Sequence, residues 1–196
     1  MSMIFFACVA ASAAAIGWVS GRKARERHEA SQVARSPSVP SAPNPFAAFP
    51  CGLRDVIART KDDELLISGG LRLSEGGSPV AAVFFGVGAP GVARVLVAFP
   101  DRSDVLWLSQ EKQIPMGSEP PTTLPWGEAM LERARRLPVL VERFGTDLPE
   151  VEREMLFAEY RGGAGQGALV LRGGKQVVVA AGDVVAFASL ERYPGA

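Results

Sequence analysis

Residues 3–19 (MIFFACVAASAAAIGWV) hold neither a charge nor a proline, and Arg22, Lys23, Arg25 and Arg27 follow closely against only Glu26 and Glu29. Extended to Gly21, such a run at about 1.5 Å per residue just crosses a hydrocarbon core of about 30 Å. The chain therefore divides into a single transmembrane helix over residues 3–21 and a polar remainder that must fold outside the bilayer. A cleaved secretory signal places its cations before the apolar run; here they come after it, the pattern of a signal-anchor. Too little apolar chain precedes Cys8 for a lipoprotein acceptor.

Cytoplasmic flanks carry the excess of Lys and Arg. The expected orientation has the N-terminus outside and the long C-terminal part in the cytosol. Ala13, Gly17 and Gly21 repeat a small residue every four positions, a spacing that permits close approach of two helices and so a homodimer through the membrane span. The membrane-flanking basic residues Arg22, Lys23, Arg25 and Arg27 orient the protein more than they anchor it, since polybasic attraction of about 1 kcal/mol per residue is small beside insertion of a span. The richness in alanine, glycine and arginine suggests a bacterial inner membrane.

Residues 22–50 form the basic juxtamembrane segment and a linker rich in Pro, Ser and Ala, with Pro37, Pro40, Pro43, Pro45 and Pro50. Proline fixes φ and biases the preceding residue toward extended backbone, so the linker is semi-extended. Phe46 and Phe49 are out of character there, and docking of both rings on the following domain is expected.

Residues 51–196 are long enough for one domain with a real core. Of the chain's 21 Lys and Arg, 16 lie after residue 50, against 19 of the 21 Asp and Glu, a net charge of −3. That balance argues against nucleic acid as a partner. Cys51 is the one thiol outside the expected span, so neither a disulfide within the domain nor a cysteine metal site is expected.

Short β-branched and aromatic runs recur between glycine and proline breaks, which reads as strands at 55–59, 64–68, 71–74, 80–86, 92–99, 105–109, 139–144, 155–160, 168–172, 176–180 and 184–189. Glu75-Gly76-Gly77-Ser78 reads as a hairpin turn. Between residues 125 and 136 the pattern turns helical: Thr122 or Thr123 can cap, Pro125 suits a first turn, Pro138 ends the segment, and Trp126, Met130, Ala134 and Leu137 share one face. The expected fold is mainly β, an antiparallel sandwich or partly open barrel with one covering α-helix.

Chemistry is sparse. His28 is the single histidine and precedes the domain, so no Ser-His or Cys-His pair exists there. The glycine-rich stretch Gly162 to Gly167 has no Lys-Ser or Lys-Thr ending and leads into an apolar strand, which makes it a hairpin connection rather than a phosphate loop. Asp62-Asp63-Glu64 reads as a solvated turn. Asp147, Glu150, Glu152 and Glu154 lack the spacing of a calcium loop. Gly182-Asp183 reads as a tight turn between two strands, and Cys51 lacks a histidine to activate it. No catalytic, cofactor or metal residues are assigned. The function expected is a non-enzymatic interaction or assembly module, whose folded domain presents a contiguous apolar patch or an unpaired strand edge to a protein partner. A membrane-tethered small-ligand sensor and a carboxylate-dependent enzyme are the alternatives.

Overall fold

In the computed structural model, residues 44–88, 91–111, 117 and 119–195 are described. The expected membrane helix over 3–21, its Ala13, Gly17, Gly21 face and the basic residues 22–27 lie outside them. Among the described residues no helix is long and apolar enough to cross a membrane.

The hairpin signal in the sequence starts the fold. Gly76 and Gly77 take φ of 56° and 86°, the left-handed pair that a two-residue turn between twisted strands requires. They join β2 (Asp63–Glu75) to β3 (Ser78–Val87). From there β4 (Ala93–Ala98), β5 (Asp104–Glu111), β10 (Gln176–Ala186), β9 (Gln166–Gly173), β8 (Glu154–Arg161) and β7 (Ala129–Gly145) follow side by side, all antiparallel. β7 then pairs back onto β2, from Gly69 opposite Gly145 to Ser74 opposite Leu140. That pairing closes an eight-stranded antiparallel barrel. The mainly β reading and the barrel alternative both hold, but the barrel is closed rather than partly open. Closure leaves none of its eight strands as a free edge.

Inward positions alternate with outward ones, and the lumen is solid. Leu71, Val83, Val97, Leu106, Phe157 and Leu169 fill it, as expected of an interior only wide enough for side chains. Leu148 and Val151, from the β7–β8 connection, pack on this core.

The expected covering helix is absent. Residues 123–145 form β6 (Thr123–Trp126) and the long β7, with Leu124 opposite Leu131. The helical spacing of Trp126, Met130, Ala134 and Leu137 competes with a period-two series through Leu137, Val139 and Val141, and the second wins. Met130, placed on the packed face by the helical reading, is 59% exposed. Pairing of β7 with β8 over eight registered positions outweighs a propensity difference of a few tenths of a kcal/mol per residue. The hairpin itself does the covering, since Leu124 and Leu131 bury Ala158, Tyr160, Ala168 and Val170 on the outer wall.

A second outer region is covered by a strap and a small sheet extension. β1 (Val56–Thr60) lies between the N-terminal half of β2 and β11 (Glu191–Tyr193). Ile57, Leu65 and Ile67 from this extension share a cluster with Ala82, Phe84, Leu96 and Trp107 of the barrel wall. Phe46 stacks in this layer, 4.8 Å from the Phe84 ring and 5.4 Å from Phe144, over Gly70, where a Cβ would stand 2.8 Å from the ring. Phe46 and Phe49 thus dock on the domain. The buried Asp55 carboxylate ties the two ends together, accepting from the Gly52 amide (2.9 Å), Arg192 Nε (2.8 Å) and the Gly195 amide (3.0 Å).

The expected strands at 64–68 and 71–74 are one strand, and 176–180 is continuous with the first three residues of the expected 184–189, whose remainder, Phe187–Ser189, is a 3-10 turn. Gly69 and Gly70 pair with Phe85 and Phe84 just past a register shift at Ser68, and Gly182 pairs with Leu108, so the turn read at Gly182-Asp183 is strand: Asp183 lies opposite Trp107 and pairs with Arg59 at 2.6 Å.

Candidate functional site

Strand register places four apolar side chains in one row on the free face of the extension. Tyr193 lies opposite Val56, Val56 opposite Leu66, and Leu66 opposite Val87. Residues directly opposite in antiparallel pairs project to the same side, and four strands at about 4.8 Å spacing make a row about 14 Å wide. The alternate residues Ile57, Leu65 and Ile67 project to the other side and are buried against the barrel. Tyr193, Leu66 and Val87 are 55%, 53% and 60% exposed. Val92, also exposed, stands at the return of the β3–β4 turn, where its carbonyl accepts the Gly88 amide at 2.9 Å.

The face is acidic along one flank of this row, in the strand direction. Glu64 and Glu191 both lie opposite Ala58, two residues along β1 from Val56 and on the same face. The Tyr193 hydroxyl donates to the Glu191 carboxylate, and that hydrogen bond, with the charges of Glu191 and Glu64, raises the phenol above its ordinary pKa. Lys61 and Asp62 in the β1–β2 turn are exposed beside them. The four charges sum to −2. Arg54 stands on the opposite flank, against Gly195.

A concave surface of about 420 Å³ lies elsewhere, on the outer wall where the β2–β3 turn meets β7, β8 and β9, lined by Ser74, Pro138, Leu140, Leu156 and Arg172 among others. Its apolar floor is interrupted by Glu75, Glu154 and Arg172.

Charged residues also enter one mouth of the barrel. Glu159, opposite the lumenal Leu169, is 2% exposed. Arg102 Nη1 donates to both Glu159 oxygens at 2.9 and 3.0 Å, while its Nε and Nη2 fork Asp104 at 2.8 and 2.7 Å. Arg161 closes the ring onto Glu159 (2.6 Å) and Asp104 (2.9 Å). β5 and β8 are separated in the sheet by β10 and β9, so these pairs reach across the lumen. The Arg102 guanidinium also lies 3.9 Å over the Phe99 ring, a cation–π stack that holds the β4–β5 connection over the mouth. Burial pushes the Glu159 carboxyl up despite the Arg102 hydrogen bond and charge. The hydrogen bond from Arg102 holds Asp104 below its usual range. Burial pulls Arg102 down, but hydrogen bonds to Asp104 and Glu159 outweigh it and its pKa is raised. The two carboxylates converge, yet each is occupied by arginine, and the arrangement works as a lock on the mouth rather than as an acid–base pair.

The remaining motifs serve structure. Gly162 to Gly165 make the β8–β9 hairpin connection, with the Gly162 amide donating to the Gln166 carbonyl at 2.9 Å. Asp63 pairs with Arg94 (2.7 Å) and accepts from Trp107 Nε1 (3.0 Å), so it braces the extension against the barrel rather than lying in a free turn. Glu150, Glu152 and Glu154 belong to the β7–β8 connection and the start of β8, and among the described residues no group of three His, Cys, Asp or Glu is placed to hold a metal ion. Burial pushes the Cys51 thiol up to about 12, so it is protonated and unreactive at neutral pH.

Sequence reading alone did not single out the Tyr193, Val56, Leu66, Val87 row or the lock. The signals were present: Val56-Ile57 and Leu65-Leu66 put two apolar residues at adjacent positions of strands that have only one buried face, and Glu159 and Arg161 continue the inward series of Met155 and Phe157. The chain matches no protein-family model, and no curated protein or solved structure matches it.

Proposed function

We propose that this is a single-pass membrane-anchored protein whose β-rich domain is a protein-interaction or assembly module, with the N-terminus outside and the domain in the cytosol of a bacterial inner membrane. The observation that carries the reading is the row of exposed Tyr193, Leu66 and Val87 with half-buried Val56 among them. A run of large apolar side chains left in water on adjacent strands is what a docking surface presents before its partner arrives. The filled lumen supports the same reading, because a barrel that senses a small ligand needs an internal cavity, and here Leu71, Val97, Phe157 and Leu169 occupy that space. The apolar run 3–21 and the cations after it support the anchor. Two copies would meet along Ala13, Gly17 and Gly21.

Replacing Leu66 by benzoylphenylalanine in the full chain and irradiating the cells that make it tests the module. A discrete heavier adduct from position 66, absent when the photoreactive residue stands at Lys175, is the expected result. No adduct from position 66 above the Lys175 background overturns the reading.

A further inference from the structure

Resting on the interaction reading above, the partner's chemistry follows from what surrounds the row. An apolar partner alone would be satisfied by Leu66, Val87 and Val56. The face, however, ends in Glu64 and Glu191, both opposite Ala58 and both exposed, with Asp62 beyond them. Lys61 is the one basic residue left to these neighbours in β1, the β1–β2 turn and β11, since the exposed Arg59 is held by Asp183 and Arg192 is held by Asp55. Arg94 and Asp63, near the same turn, neutralise each other on the barrel side. A negative end and an apolar middle thus share one surface, with Arg54 at the far end.

We propose that this face docks a basic amphipathic segment of another protein, its apolar side chains lying over Leu66 and Val87 and its Lys or Arg side chains meeting Glu64 and Glu191. The charge does two things: it fixes the direction in which the segment lies across the row, and it rejects acidic segments of equal apolarity, because unlike charges meet at one end and like charges would meet there instead. Tyr193, its hydroxyl already bound to Glu191, adds an exposed aromatic ring beside the charge, a residue type enriched at interfaces. The outer groove at Pro138 and Leu140 makes a useful contrast, since acidic and basic side chains both line it and no one charge type is selected.

The test uses two synthetic probes on the full chain: peptides with leucines at helical i, i+3 and i+4 spacing and one benzoylphenylalanine in the apolar stripe, with lysine at every polar position in one and glutamate in the other. Photo-adducts are mapped by mass spectrometry. The expected result is that lysine-peptide adducts concentrate at Val56, Leu66, Val87 and Tyr193, exceed those of the glutamate peptide by about tenfold, and fall with added salt. Glu64→Gln with Glu191→Gln should remove most of that preference and its salt dependence while leaving the melting temperature unchanged. Equal labelling of the face by both peptides overturns the charge inference but leaves an apolar docking face standing. No labelling of the face by either peptide, or labelling unchanged by Leu66→Glu and by Val87→Glu, overturns the docking face itself.

Discussion

Leu65 and Leu66 are adjacent and chemically identical, yet the first is 0% exposed and the second 53%. The same holds across the pair of strands: Ile57, opposite Leu65, is buried, and Val56, opposite Leu66, is not. One face of the β1–β2 extension closes a layer over the barrel wall, and the other repeats its apolar pattern with nothing described upon it. The strand geometry that hides Leu65 necessarily shows Leu66 to solvent. What differs is the partner: Ala82, Phe84, Leu96 and Trp107 on one side, water on the other. Stability therefore belongs to one set of residues and recognition to the set alternating with it.

Several substitutions break or sharpen that contrast. The largest effect is expected from Phe46→Ala, which removes a buried ring stacked on Phe84 and Phe144 and should cost about 3–5 kcal/mol, read as a drop in the urea midpoint. Leu65→Ala follows at about 2–4 kcal/mol, with a cavity beside Ile57 and Trp107. Asp104→Asn should cost about 1–2 kcal/mol, reduced from a fully buried pair because Asp104 is about a third exposed. Leu66→Ala should leave stability within about 0.5 kcal/mol of the parent, since the side chain is more than half in water. A loss from Leu66→Ala comparable to that from Leu65→Ala would remove the distinction between the faces.

The lumenal lock adds a pH dependence with two opposite signs. Glu159, raised above its ordinary 4.5 by burial, takes up its proton in the folded chain first, so its contribution to stability is present below pH 4.5 and is lost as pH rises through the folded pKa. Asp104, held below 3.8 by Arg102, contributes above that pH and loses its contribution as pH falls through its folded pKa. Unfolding free energies measured from pH 3 to 7 should flatten above pH 4.5 in Glu159→Gln. In Asp104→Asn the deficit relative to the parent should close on the acid side of 3.8. An unchanged profile in both variants would mean that neither carboxyl titrates differently in the folded state.

Much of the barrel was legible because its strands carry β-branched runs bounded by Gly-Gly and proline turns, and Phe46 and Phe49 announced their docking by being aromatic within a linker. The stretch around residues 126–137 was not, because Trp126, Met130, Ala134 and Leu137 satisfy a helical period while Leu137, Val139 and Val141 satisfy a strand period, and only the long-range pairing with β8 decides between them. Closure was equally hidden, since the β2–β7 seam joins residues about seventy positions apart. The candidate face depends on which of two neighbouring leucines turns inward, a matter of register that no local pattern carries. Glu159 is marked as lumenal only by its register opposite Leu169.

The most direct test of the recognition face reads stability and docking on the same molecules. Benzoylphenylalanine is placed at Val87 in the full chain, with and without Leu66→Glu, and adduct formation in cells is measured beside the melting temperature. The account predicts an adduct from position 87 that disappears in Leu66→Glu while the melting temperature stays within a few degrees of the parent. An adduct that persists at equal yield in Leu66→Glu would contradict it, because the row would then contribute nothing to what binds there.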